Sequence, residues 1–420
     1  MLAAIAVLAA ACGTSGPSPS IPVPSAVLAT PSSAAAPSLA PTPVADPSTV
    51  YAAIEAQVQA IRGLTAKTPV APKLLDDAGI RKLTADSFSK SNPPAVVAAN
   101  ERVMKAFGLL PPDASLADLY VKLLGSQVAG LYNPDDKTLY VVSKSGGLGP
   151  AQRTTFAHEF DHALQDQNFD LGSLSLDGVG HGDQSVARLA LVEGDATLLM
   201  SIWQLQNLSQ ADLGQLIAES ASDPGTQVLL DAPPVLRESL LFPYTAGLSF
   251  VQGLQAAGWG AVNAAFRKPP ASTEQILHPD KYASGEAPIA VTLPADLAMR
   301  LGSGWKTTFE DTNGEFSLAV WLRTNTSIDT ATANAAAAGW GGDRYALLEG
   351  PNGGWSVVTK TVWDTPADAA EFEAAASGLV AKLASPASLL PGAGGAERWI
   401  VIASDATTLG RVTGVLGLAG

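Results

Sequence analysis

The chain has 420 residues, enough for two domains and a sizeable core. Its 25 basic residues against 39 acidic ones leave a net charge of −14, which argues against a nucleic-acid partner, because such a partner needs a basic face. A single cysteine excludes an intrachain disulfide.

Residues 1–11 are apolar but too short to span a bilayer as a helix, and they read as the hydrophobic region of a signal peptide. The stretch Leu8-Ala9-Ala10-Ala11-Cys12-Gly13 resembles a bacterial lipobox, with Ala9 where leucine is usual and no Lys or Arg before the apolar run. That resemblance implies a lipidated Cys12 and a membrane-anchored protein on the extracytoplasmic side. The competing expectation is an ordinary cleaved secretion signal. Residues 13–47 are rich in Ser, Pro, Ala and Thr, with Asp46 as the only charge. Such a segment cannot bury a core and reads as a tether. Its upper reach is on the order of 100 Å at about 3.1 Å per residue. No other apolar run is long enough to cross a membrane.

Residues 48–64 have helical spacing, with Tyr51, Ile54, Val58 and Ile61 on one side and Ser48 as the expected N-cap. A short strand is expected at 70–75. Helices follow at 92–107, with Val96, Val97, Val103 and Phe107 as the apolar positions, and at 117–126. In residues 128–142 two apolar runs flank the turn signal Asn133-Pro134-Asp135-Asp136, which predicts a β-hairpin.

Residues 155–167, TFAHEFDHALQDQ, contain His158-Glu159-Phe160-Asp161-His162. Pro150 suits a first helical turn, Phe156, Phe160, Ala163 and Leu164 form an apolar stripe, and Asn168 and Gly172 supply a stop. On a helix His158 and His162 stand one turn apart on the same face. Both can reach one zinc ion at about 2.0–2.1 Å. Glu159 lies about 100° round from His158, beside the ion, where a base taking a proton from metal-bound water would sit. Asp161, on the opposite side, can orient a ligand or pair with a cation. Two histidines do not complete a zinc site, so a third ligand is needed.

A helix at 184–205 offers Glu193, on a face with Leu189, Ala190 and Thr197. A carboxylate there needs a partner if buried, and Gly194 leaves room for a backbone or an ion. Asp195 points about 200° away from Glu193 and reads as a supporting group or as exposed. A solvated face carrying both acids is the competing reading. His181 and Asp183, in the glycine-rich stretch 178–183, are alternative third ligands. Residues 240–254 predict a buried helix started by Pro243, with Tyr244, Gly247, Leu248 and Val251 on one face. Tyr244 is a candidate for stabilising an oxyanion, or simply a core tyrosine. His278, just before a proline, is a candidate for polarising a carbonyl or binding a leaving group, or a structural loop histidine. Beyond 287, strands are expected at 289–293, within 305–323 and 345–365, and at 398–403, with a helix at 366–383. Residues 339–345 read as a tight turn or a binding edge. This stretch suggests an α+β domain without a catalytic cluster.

At HEFDH the chain resembles the zincin metallopeptidases, and the later Glu193 makes it similar to the gluzincin subgroup, to which thermolysin belongs. It more closely resembles a group of bacterial secreted lipoproteins, through VAGLYNPDDKTLYVV, HEFDHALQDQ, LVEGDA, FPYTAGLSFVQ, STEQILHPDKY and AGWGGDRY, across most of residues 50–420. It departs from thermolysin-like peptidases in carrying the glutamate on EGD instead of NExxSD, at a longer interval from His162. The resemblance implies an α+β protein, with a mainly helical zincin-like domain at 48–287 and a smaller α+β domain at 288–420. The hairpin's edge strand would pair with an extended substrate. Zinc would be held by His158, His162 and Glu193 with water at the fourth position, Glu159 would be the general base, and the substrate would be a peptide or protein. The competing expectation is a zinc-containing envelope lipoprotein without turnover, acting as a binding or scaffold module. A closed site with His181 or Asp183 as a fourth ligand would mark it.

Overall fold

The computed structural model describes residues 46–127, 130–142, 148–176 and 180–418. Cys12, the signal region and nearly all of the tether lie outside the described residues, as do residues 128–129 at the start of the predicted hairpin.

Helix α1 (Pro47–Arg62) is capped by Asp46 instead of Ser48: an Asp46 carboxylate oxygen accepts the Ser48 N–H at 3.0 Å. Strand β1 (Pro72–Leu75) leads into α2 (Asp77–Ser91), α3 (Pro94–Ala106) and α4 (Leu116–Gln127). Sequence periodicity passes over α2 because it buries only Ile80 and Thr84, too thin a stripe to announce a helix. Strands β2 (Gly130–Asn133) and β3 (Thr138–Val142) form the predicted hairpin. With β1 parallel to β3, the sheet order is β1-β3-β2, and β2 is an edge strand.

Helix α5 (Pro150–Phe169) carries the HEFDH motif. It stops at Asp170, in the left-handed region at φ 56°, and not at Asn168 or Gly172. Short polar side chains tolerate that conformation. Then come α6 (Gly182–Asn207), α7 (Gln210–Ser222), α8 (Pro224–Leu230) and α9 (Pro234–Gln255). Pro243 lies inside α9 and does not start it; Pro234 supplies the first-turn proline. Short helices α10 (Trp259–Arg267), α11 (Thr273–Leu277) and α12 (Pro279–Ser284) complete the helical part. Helix α5 packs Phe156 and Phe160 against Tyr51 of α1 and Tyr132 and Leu139 of the hairpin. Helices α6 and α9 cross backbone to backbone. A Cβ on Gly194 would lie 2.3 Å from the Gly247 carbonyl, and one on Gly247 would lie 2.2 Å from the Ala190 oxygen.

The rest of the chain forms α13 (Leu297–Arg300), β4 (Lys306–Asp311), α14 (Gly314–Arg323), α15 (Thr330–Ala337), β5 (Trp340–Glu349), β6 (Trp355–Trp363), α16 (Pro366–Val380), β7 (Ala387–Pro391), β8 (Glu397–Ala403) and α17 (Ala406–Leu416). The sheet is antiparallel in the order β4-β5-β6-β8-β7. Three expectations change here. Residues 289–293 are not a strand; Ile289 N–H donates one bond, to the Gly341 carbonyl. The stretch 305–323 is half strand and half helix, broken where Gly314 at φ 74° lies against Asp183. Of residues 339–345 only Gly339 is in a turn; residues 340–345 open β5, where the buried Trp340 indole N–H donates to Asp343.

Helix α14 joins the two halves of the molecule. It contributes Phe316 and Val320 to the core of the helical part and Trp321 and Leu322 to the core under the five-stranded sheet. The molecule is thus mainly helical with two small sheets. Among the described residues no helix is long and apolar enough to cross a membrane.

Candidate metal centre

The motif helix α5 is buried along most of its length, so both histidines leave water together. His158 and His162 bring their Nε2 atoms to 3.1 Å from each other. Glu193, from the middle of α6, places Oε2 3.3 Å from His158 Nε2 and 3.4 Å from His162 Nε2. These three side chains are 3%, 1% and 1% exposed, and the Glu193 oxygen has no hydrogen-bond donor. Three acceptor atoms facing one another in a dry space need a cation between them. A tetrahedral ion with bonds of about 2.0–2.1 Å sets its ligands about 3.3 Å apart. The donor set and its spacing therefore fit a divalent metal such as zinc.

The electrostatics agree. Burial alone would push the Glu193 carboxyl up, but the His162 and His158 rings outweigh it and hold the group down at about 2. Burial alone would push His162 down, but Glu193 and then Glu159 raise it to about 10. Without metal the cluster carries a proton where an ion would sit. Metal must displace that proton, so affinity should rise with pH.

Glu159 stands beside the cluster. Its Oε2 accepts the Tyr132 backbone N–H of edge strand β2 at 2.7 Å, while Oε1 is buried without a partner. Burial pushes its pKa up. Gly130 permits this contact: a Cβ there would meet Thr155 Cγ2 at 2.7 Å and Glu159 Cγ at 3.3 Å. Tyr244 of α9 lies nearly parallel to His158, with ring centroids 6.4 Å apart. Burial and the Glu193 and Glu159 carboxylates push its phenol well above the ordinary value, so it stays a donor. The glycine crossing of α6 and α9 makes this possible, because Gly194 follows Glu193 and Gly247 lies one turn after Tyr244.

The other sequence candidates lie elsewhere. His278, between α11 and α12, bonds Glu315 of α14 at 2.9 Å. With Leu241, Phe242, Thr245 and Phe316 it lines a cavity of about 620 Å³. None of the groups that bond or perturb it is a residue of the metal cluster. Asp183, in the first turn of α6, accepts the Thr273 N–H and hydroxyl. It precedes Glu193 by ten residues, about 15 Å of helix. His181 precedes that first turn and is exposed. Among the described residues no fourth His, Cys, Asp or Glu joins the three donors.

Sequence reading passed over three contributors. Tyr132 offers only its backbone, which carries no sequence signal. Gln165, three residues after His162 on the same helix face, accepts from His162 Nδ1 at 2.9 Å, and its spacing was a usable clue. Arg62 ion-pairs with Asp195 at 2.9 Å with both side chains fully buried, and nothing in the sequence singles out one arginine at a helix end.

A family model described as a domain of unknown function (DUF8575) matches residues 300–412, which run from the end of α13 into α17 and exclude the metal centre. No curated protein matches the chain, and no solved structure does.

Proposed function

We propose that the protein is a zinc-dependent metallopeptidase of gluzincin type that hydrolyses peptide bonds in a peptide or protein substrate. The observation that carries this reading is the convergence of His158, His162 and Glu193 at 3.1–3.4 Å beside a glutamate with a free oxygen. Among the described residues three protein ligands converge without a fourth, which is the pattern of a catalytic zinc and weighs against a purely structural one. When bound, zinc supplies Lewis acidity at a carbonyl and lowers the pKa of water to about 7. The chain's own residues do the rest. Glu159 takes and returns a proton at Oε1, because Oε2 is tied to the Tyr132 N–H. The neutral Tyr244 phenol offers a hydrogen bond to an oxygen that gains negative charge. Edge strand β2 is the surface that pairs with extended substrate. His278 is assigned a place in the reaction only if substrate reaches its cavity. Lipidation at Cys12 would tether the enzyme to the extracytoplasmic face of a membrane.

The test is metal analysis of the purified protein with a peptide-library screen. One zinc per chain is expected, lost in His158→Ala and in Glu193→Ala. Glu159→Gln should keep the zinc and lower turnover by about a hundred- to ten-thousandfold. Zinc with no turnover on any peptide would assign the non-catalytic envelope lipoprotein instead. An active Glu159→Gln protein would defeat the mechanism.

A further inference from the structure

His162 is held from behind by a chain of buried side chains. Gln165 is fully buried and sets Oε1 2.9 Å from His162 Nδ1. Its amide nitrogen faces three oxygens: Val192 O at 3.0 Å, Asp195 Oδ2 at 3.0 Å and Asp161 Oδ2 at 3.1 Å. Flipping the amide would turn its oxygen onto the Val192 carbonyl, which has no proton to give. The amide therefore has one orientation. With an acceptor at Nδ1, His162 must carry its proton there, which directs the Nε2 lone pair toward His158 Nε2 and Glu193 Oε2.

Asp195 is fixed in turn. Arg62 Nε donates to both carboxylate oxygens at 2.9 and 3.1 Å, and Nη2 donates to Oδ2 at 3.0 Å. The guanidinium is locked by Asn263 Oδ1 at 2.8 Å from Nη1 and by the Trp259 ring, 4.6 Å from its carbon. Gln165, Asp161, Asp195 and Arg62 are each fully buried, so water does not readily replace a missing partner among them, whereas Asn263 and Trp259 at the outer end are half-buried. Among the described residues His158 has no such support, since its Nδ1 is buried without a partner there.

We propose that Gln165, held by Asp195 and Arg62, is a positioning residue that presets the tautomer and orientation of His162 for metal, leaving the two histidines unequal. The inference rests on the metal-centre reading and needs no peptidase activity. Partners behind a metal-binding histidine commonly contribute 10- to 100-fold in affinity.

Two measurements on the full chain test it. Zinc affinity, by competition with a chelator, is expected to fall about 10- to 100-fold in Gln165→Leu and in Arg62→Met, with the circular dichroism spectrum unchanged. In the zinc-loaded native protein, nitrogen–proton NMR of the imidazoles is expected to show His162 protonated at Nδ1, with a slowly exchanging proton whose exchange quickens and whose shift moves in Gln165→Leu. A merely structural role would not move that signal. If Gln165→Leu fails to fold, the native spectrum decides, and a His162 protonated at Nε2 overturns the proposal. A folded Gln165→Leu that binds zinc within twofold of native also overturns it. Failure of the native chain to bind zinc would instead overturn the metal-centre reading.

Discussion

Gly130 is where edge strand β2 touches the motif helix, and its missing side chain sets the distance between the strand and Glu159. In Gly130→Ala the new methyl would sit 2.7 Å from Thr155 Cγ2. The strand must retreat, loosening the Tyr132 N–H bond to Glu159. We expect a loss of about 1–3 kcal/mol from overpacking, measured by urea unfolding, with zinc content unchanged and turnover reduced. Full activity would show that the strand contact is dispensable. Asp183 makes a different prediction. Burial pushes its carboxyl up to about 8, against an ordinary 3.8, although the Thr273 bonds pull the other way. Below pH about 4 both folded and unfolded chains hold this proton. Between about 4 and 8 only the folded chain does, so stability declines through that window and levels off above it. At about 1.4 kcal/mol per unit, the total is on the order of a few kcal/mol. Asp183→Asn should flatten the decline, seen as a smaller difference in urea midpoint between pH 5 and pH 8; an unchanged difference would refute the assignment. The sequence marked Asp183 as a rival ligand, but could not show that Thr273 and Gly314 occupy its surroundings.

Among the elements, the crossing of α6 and α9 decides the site. Glu193 and Tyr244 meet only because Gly194 and Gly247 let the two backbones touch. Gly194→Ala would drive a methyl into the Gly247 carbonyl, where no side chain can swing aside. We expect a loss of about 3 kcal/mol or more, at the top of the overpacking range, together with weaker zinc binding as Glu193 shifts. Thermal unfolding and chelator competition measure the two effects, and a stable variant with native affinity would mean that the crossing can relax. The sequence offered Gly194 as a place of close approach without saying what approaches. It also started α9 at Pro243, because proline normally opens a helix. Here Val235, Leu236 and Phe242 extend the buried face ahead of it, so packing carries the helix through the proline.

At the scale of the whole molecule, the core of the helical part takes in residues beyond the boundary expected near residue 287. Helix α14 belongs to the C-terminal part by sequence, yet Phe316 and Val320 complete the core of the helical part. Thr273, at the start of α11, uses its hydroxyl both to bond Asp183 and to accept the Phe316 N–H. A protein ending at 287 would expose the apolar surface that Phe316 and Val320 cover. It is expected to lose the near-ultraviolet circular dichroism of fixed tertiary packing and to self-associate on size-exclusion chromatography. A monomeric, cooperatively folding fragment with native zinc affinity would show that the helical part is autonomous.

What the sequence determined by itself was local. Helical spacing placed His158 and His162 on one face with Glu159 about 100° round from His158, because a turn of helix is the same everywhere. The turn residues after Asn133 placed a hairpin ahead of them, and apolar periodicity found α1, α3, α4 and most of α6. Tertiary structure alone decided which distant groups join that face. Glu193 prevailed over Asp183 and His181 because a glycine crossing holds its stretch of α6 to the site. Tyr244 came to the cluster while His278 was drawn to Glu315. Gln165 acquired its orientation from an aspartate and an arginine on two other helices. Such pairings depend on how helices cross and on which buried polar groups must find partners, and neither is written in the spacing of residues along one chain.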